Sequence, residues 1–203
     1  MDRACFFDDL ADRWDDVCDI ERVAVSLRAG LAGMNIKPSE RIVDIGCGTG
    51  TLLLCLLDVL GPGGRVHAVD TSPRMINKAR AKISDDRAWL VLAAADRLPS
   101  ADASVDRVFC FSCWPHIGQP LTVLNEFLRV LRPGGVLHVW HADGKETINR
   151  IHRSAGGAVA KDILVPGEDL AHLLNAQGFN VYETIDTYFE YRVSATRAAG
   201  REA

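Results

Sequence analysis

The chain has no run of lysine or arginine, no apolar stretch long enough to cross a bilayer, and no cysteine framework of the kind that staples small secreted domains. Each absence removes a class of function. With a net charge of −4 and no basic cluster, a nucleic acid is not expected as the main partner, because neutralising phosphates with basic side chains supplies most of such affinity. Apolar runs such as Leu52 to Leu57 fall far short of the roughly 20 residues a membrane helix needs. Met1 is followed at once by Asp2 with no apolar segment behind it, so no secretory signal is expected and the chain reads as cytoplasmic. Internal repeats and low-complexity segments are missing too.

Of the six cysteines, Cys5, Cys18, Cys47, Cys55, Cys110 and Cys113, four sit inside apolar strands or helices, which suits small buried hydrophobes in a reducing compartment. Cys110-x-x-Cys113-x-x-His116 has metal-ligand spacing, but no second pair completes a tetrahedral site. Strand alternation would also send Cys110 and Cys113 to opposite faces if the strand runs that far. No metal is expected.

What is present is one domain of 203 residues with an ordinary hydrophobic fraction of 48%. Residues 3–19 carry Phe6, Leu10, Trp14 and Cys18 at i+4 spacing, the apolar face of a single helix. Its other face is acidic, with Asp2, Asp8, Asp9, Asp12, Asp15, Asp16 and Asp19. Such a face is most simply solvated, although the apolar stripe could also close over a ligand. A second helix spans roughly Ile20 to Ala32. Strands at Arg41–Ile45, Arg65–Val69, Trp89–Ala93, Val105–Phe111 and Val136–His141 then alternate with helices at Thr51–Leu57, Pro73–Ile83 and Pro120–Leu131. Ser72 is placed as N-cap and Pro73 as first helical residue. This alternation implies right-handed crossovers and a parallel, doubly wound sheet. Two last strands, Phe179–Ile185 and Tyr188–Ala195, follow a helix over Gly167–Ala176 with only Asp186-Thr187 between them, so one must run antiparallel.

In such a sheet, ligands bind outside the carboxyl ends of the strands, where strand order reverses. Strand one leads into Gly46-Cys47-Gly48-Thr49-Gly50, a turn where the backbone can approach a ligand closely. Strand two ends in Asp70, 20 residues after Gly50, a spacing that fits a carboxylate on ribose hydroxyls. A dinucleotide fingerprint would need its third glycine one residue later, where Thr51 stands. Asp44, two residues before the first glycine, would repel a pyrophosphate but suits a cationic ligand. S-adenosylmethionine, with a sulfonium, an α-ammonium and no phosphate, meets that condition.

Val43-Asp44-Ile45-Gly46-Cys47-Gly48-Thr49-Gly50 resembles motif I of the class I S-adenosylmethionine-dependent methyltransferases. Val69-Asp70-Thr71-Ser72-Pro73-Arg74-Met75 and Ala95-Asp96-Arg97-Leu98-Pro99 resemble the next two family motifs, and Asp106-Arg107-Val108 and Leu131-Arg132-Pro133-Gly134-Gly135 match in order. The resemblance covers residues 41–195. It implies a Rossmann-like α/β fold: a doubly wound, seven-stranded, mostly parallel sheet with an antiparallel C-terminal strand and helices on both faces. Residues 1–203 would form one domain, with 1–33 a helical cap over the site and 41–195 the core. It implies S-adenosyl-L-methionine as cofactor and S-adenosyl-L-homocysteine as product. Asp44 would hold the methionine ammonium, Gly46, Cys47 and Gly48 would pack on the cofactor, and Asp70 would bind the ribose. Thr71 and Met75 would flank the adenine, Asp96 and the Arg97 backbone would contact it, and Phe111 would lie alongside. The N-terminal stretch from Phe6 to Asp15 also resembles the covering helix of small-molecule methyltransferases of the quinone-biosynthesis type.

The acceptor side is minimal, with only residues 142–166 between strand five and the next helix, which favours a small molecule over a protein or RNA. His116, His141 and His152 are the catalytic candidates, His141 or His152 foremost, the last on a helix from Gly144 to Ser154 capped by Asp143 that also carries Asn149. Two other readings remain: a protein of this fold that binds the cofactor without turnover, and a nicotinamide-dependent oxidoreductase, which Asp44 and the glycine spacing disfavour.

Overall fold

A computed structural model describes residues 3–199; Asp2 of the acidic face and residues 200–203 lie outside the described residues. The chain runs α1 (Arg3–Leu10), α2 (Trp14–Val17), α3 (Ile20–Ala32), β1 (Arg41–Ile45), α4 (Thr51–Val59), β2 (Arg65–Asp70), α5 (Pro73–Lys82) and β3 (Ala88–Leu92). It continues with β4 (Val105–Phe111), α6 (Pro120–Val130), β5 (Leu131–His141), α7 (Lys145–Ala155), α8 (Gly167–Ala176), β6 (Phe179–Asp186) and β7 (Tyr191–Arg197). Single 3-10 turns lie at Trp114–His116 and Gly157–Val159.

The seven strands form one sheet in the order β3-β2-β1-β4-β5-β7-β6. β7 is antiparallel to both its neighbours, and the remaining pairs are parallel. Strand order reverses between β1 and β4, so the ligand crevice opens at their carboxyl ends. Alternation along the strands feeds two cores. Val108, Cys110, Leu137 and Val139 face α6 and α8 through Leu124, Phe127, Leu170 and Leu174. Phe109 and Trp140 face α3 and α4 through Leu27, Leu53 and Leu56. α3 sits close because residue 30 is glycine: a Cβ there would lie 2.5 Å from the Trp140 ring. α5 begins as the sequence expects, with Ser72 Oγ accepting the Met75 N–H at 3.1 Å and Pro73 in the first turn.

Several boundaries differ from the sequence reading. Residues 3–19 form two short helices, because tightened turns (Ala11 N–H to Asp8 O, 3.2 Å; Arg13 N–H to Leu10 O, 2.9 Å) break the chain after Leu10. The break lets Phe7 and Trp14 meet edge to face at 5.7 Å. The acidic face is not merely solvated. Asp8 accepts from Ser72 Oγ and from the Arg74 N–H at 3.0 Å, Asp12 pairs with Arg74 and Lys78, and Asp15 with Lys82 and Thr49 Oγ1. Three aspartates thus tie the N-terminal segment to the glycine turn and α5. β5 starts at Leu131, five residues early, as that segment pairs with Val105 ahead of a register shift. The last hairpin turns over Thr187–Glu190, closed by the Thr187 N–H to Glu190 O at 2.9 Å. Tyr188 and Phe189, strand-like by composition, are exposed at its tip.

Candidate active site

β1 ends in Asp44-Ile45 and passes into the glycine turn, where Gly46 and Gly48 have φ of +65° and +54°. A Cβ on Gly46 would lie 2.7 Å from the Cys113 Cβ, so both the backbone conformation and the space call for glycine. The Cys47 N–H bonds Val69 O at 3.0 Å and fixes the turn to β2. At the end of β2, Asp70 accepts the Gly48 N–H at 2.9 Å on one oxygen and the Ser72 N–H at 2.8 Å on the other. Each oxygen keeps a lone pair for a ligand hydroxyl. Burial raises the Asp70 carboxyl above its usual value, and those backbone N–H groups oppose the rise.

Two cavities adjoin here. One, of about 340 Å³, is lined by Ile45, Asp70, Thr71, Met75, Asp96 and Val123 among others. The second, of about 320 Å³, is lined by Asp44, Cys47, Phe111, His141, Ile148 and His152, with an apolar wall from Phe6, Leu10, Val17 and Val159. Both are bordered by Gly46, Gly48, Ser112, His116, Phe7 and Trp14. Among the residues proposed from sequence, only Arg97 borders neither; it is exposed, and its N–H is turned to Ala94 O at 3.2 Å.

Asp44 is 1% exposed and its Oδ2 has no hydrogen-bond partner. Burial, with the Asp70 carboxylate second, pushes its pKa up to about 8. A buried acid with a free oxygen beside a ligand cavity is what an ammonium group needs. His141 is equally buried, with neither ring nitrogen bonded to protein. Burial, and then His116 and His152, hold its pKa at about 3, so the ring is neutral.

The three histidines converge. The His116 and His152 rings are 4.7 Å apart, and the Phe7 ring meets His116 at 5.0 Å. His116 Nδ1 lies 2.8 Å from Asp162 Oδ2, and His152 Nδ1 lies 2.8 Å from the Asp162 carbonyl oxygen. Asn149 is spent on the backbone, exchanging hydrogen bonds with Leu164 at 2.8 and 3.0 Å. Asp143 does not cap α7. Gly144 is the N-cap, and Asp143 pairs with Arg22 of α3 at 2.9 Å.

Cys110 and Cys113 do not point apart. The strand ends at Phe111, Ser112 takes φ of +51°, and Cys113 turns back until the two sulfurs lie 2.9 Å apart. Cys113 Sγ donates to Ile45 O at 3.1 Å, and its thiol is raised well above the usual range by the Cys110 contact and burial. Among the described residues no cluster of three or more His, Cys, Asp or Glu could hold a metal.

Sequence reasoning missed Asp162, Arg3 and Ser112. Asp162 lies in an irregular segment, 46 residues from His116 and 159 from Arg3, with no motif to mark it.

Residues 43–139 match the methyltransferase domain family. The chain is 36% identical over 141 residues to a demethylmenaquinone methyltransferase of Beutenbergia cavernae, covering 68% of this chain and 57% of that protein. It is 32% identical over 182 residues to an arsenite methyltransferase of Halobacterium salinarum, covering 83% and 46%. The chain therefore spans about half the length of these curated relatives. The methyltransferase chain solved with the Trm112 activator of Haloferax volcanii superposes with a TM-score of 0.82 at 22% identity, over 95% of this chain and 98% of that one. Residues 43–139 match a methyltransferase domain, and the fold and strand order are those of the class I S-adenosylmethionine-dependent methyltransferases. The cofactor of that class is S-adenosylmethionine, and the orphaned Asp44 oxygen and the half-satisfied Asp70 carboxylate fit its ammonium and ribose.

Proposed function

We propose that the chain is an S-adenosylmethionine-dependent methyltransferase whose acceptor is a small molecule with an apolar body. The observation that carries this is the pair of cavities meeting at Gly46, Gly48, Ser112 and His116, one edged by Asp70 and Asp96, the other apolar with three histidines. Asp70 would hold the ribose, Asp96 the adenine amino group and Asp44 the ammonium, with Thr71 and Met75 beside the base. When bound, the cofactor supplies a methyl group on a sulfonium, open to in-line displacement. The chain's own part is orientation and exclusion of water. The N-terminal residues through Gly33 would act as a cap, since Phe7 and Trp14 border both cavities and three aspartates pin that segment to the site. The matched relatives are named for demethylmenaquinone and arsenite. The apolar wall favours an organic acceptor here.

Thermal shift with S-adenosylmethionine, S-adenosylhomocysteine and NAD tests the donor. The first two should stabilise, by about 2.7 kcal/mol at one hundred times Kd, and NAD should not. Stabilisation by NAD alone overturns the reading. Screening apolar phenols, amines and thiols for S-adenosylhomocysteine release tests the acceptor; binding without release from any of them would leave a cofactor-binding protein.

A further inference from the structure

We propose that Asp162 and His116 form a proton-accepting pair for the acceptor, with Asp162 the positioning residue and His116 Nε2 the atom that takes the proton. The proposal rests on the methyltransferase reading and adds a requirement to it: the acceptor must lose a proton, as an O–H, N–H or S–H group does.

The geometry sets the protonation states. A carboxylate only accepts hydrogen bonds, so the 2.8 Å contact to Asp162 Oδ2 places the proton of neutral His116 on Nδ1. Nε2 is then the lone-pair nitrogen, on a ring that borders both cavities. A backbone carbonyl likewise only accepts, so His152 also carries its proton on Nδ1, donated to the Asp162 main chain. One residue thus orients two of the three histidines, by side chain and by backbone.

Asp162 is itself firmly placed. Arg3 donates from Nε at 3.0 Å and from Nη2 at 2.5 Å, and Asp162 is 4% exposed. The Asp162 N–H bonds Val159 O at 2.9 Å, and the Asn149–Leu164 pair clamps the following residues to α7. An ion pair that served only to dock α1 would need Arg3 and a carboxylate. It would not need the further contact of Oδ2 with a histidine at the junction of two cavities.

The charges facing His116 are Arg3 from α1, Asp162 from the segment after the 3-10 turn, His152 from α7 and His141 from β5. Arg3 and Asp162 offset each other, and His141 is neutral. Burial lowers the His116 pKa, and the Asp162 hydrogen bond resists that fall. Burial pushes the Asp162 carboxyl up, but the Arg3 and His116 hydrogen bonds outweigh it and keep it below the usual value, ready as an anion. In the step, the acceptor's X–H bond breaks and its electron pair stays on the acceptor. The proton joins the Nε2 lone pair, and the imidazolium formed lies against the Asp162 carboxylate.

Two-bond nitrogen–proton NMR of the histidine-labelled protein, free and with S-adenosylhomocysteine, reads this directly, with calorimetry of the same ligand alongside. Wild type should show His116 as the Nδ1–H tautomer. In Asp162→Asn the His116 pKa should fall by about one to three pH units and the Nε2–H form should appear. The Kd for S-adenosylhomocysteine should change by less than about threefold, and Asp162→Glu should restore the tautomer in part. A wild-type Nε2–H tautomer, or an unchanged pKa and tautomer in Asp162→Asn, overturns the pair. Should the asparagine variant not fold, the wild-type tautomer decides alone. Failure of wild type to bind S-adenosylhomocysteine would instead overturn the methyltransferase reading, and the catalytic role with it, while leaving the tautomer result to stand as geometry.

Discussion

His138 and His141 lie three residues apart on β5, both buried, both held neutral, and they differ in one respect. His138 accepts from Arg107 Nη1 at 2.8 Å on Nε2 and therefore donates from Nδ1 to Ser194 Oγ, at 2.9 Å. Ser194 in turn donates to Glu183 at 3.0 Å, and Arg107 is held by Glu40 at 2.8 and 3.1 Å. Burial, then Arg107 and Arg192, keep the ring uncharged. Every polar group of that chain is answered within the protein. Around His141 the opposite holds: both its nitrogens and one oxygen of Asp44 are buried and unanswered. An unpaired buried polar group costs about 1–3 kcal/mol, so the carboxyl end of the sheet carries a cost that the Arg107 chain does not. Unanswered groups of this kind, placed on cavity walls, are where a ligand recovers what folding gave up.

The largest break in this comparison is at the ion pair. Glu40→Ala leaves Arg107 charged and almost fully buried without its carboxylate, and chemical denaturation should show a loss of about 3–5 kcal/mol. A loss under about 1 kcal/mol would mean that water reaches the pair. Next come the histidines themselves. His138→Leu strands the Arg107 N–H and the Ser194 hydroxyl and should cost about 1–3 kcal/mol, whereas His141→Leu removes two unpaired nitrogens and should be neutral or stabilising by about 1 kcal/mol. Similar losses at both positions would dissolve the distinction between scaffold and site.

The same contrast separates what was legible in the sequence from what was not. The strand order, the glycine turn and the placing of Asp44, Asp70 and Asp96 depend on local pattern and on fixed spacing at strand ends, and the structure gathers them where the doubly wound rule puts them. Asp162 could not be read, because its partners come from α1, α7 and the turn after β4 and are chosen by packing alone. The tethering of Asp8, Asp12 and Asp15 was hidden for the same reason: a periodic acidic face looks identical whether water or α5 answers it. Cys113 was misjudged through one residue, Ser112, whose left-handed backbone reverses the alternation that strand periodicity assumes.

The smallest effect concerns a single proton on Asp44. Its folded value of about 8 lies above the ordinary carboxylate range, so its contribution to stability is fully present below about pH 4 and is lost as pH rises through 8. The free protein should therefore lose stability across that window, and Asp44→Asn should flatten the curve. A cation bound at Asp44 reverses the preference, since an ammonium beside the carboxyl favours its ionised form. Binding S-adenosylhomocysteine at pH 7 should then expel up to about one proton, seen by calorimetry as a binding heat that varies with the ionisation heat of the buffer. Asp44→Asn should bind more weakly and show no such variation. A wild-type heat independent of buffer would mean that Asp44 does not meet the ammonium, and the orphaned oxygen would belong with His138 as scaffold after all.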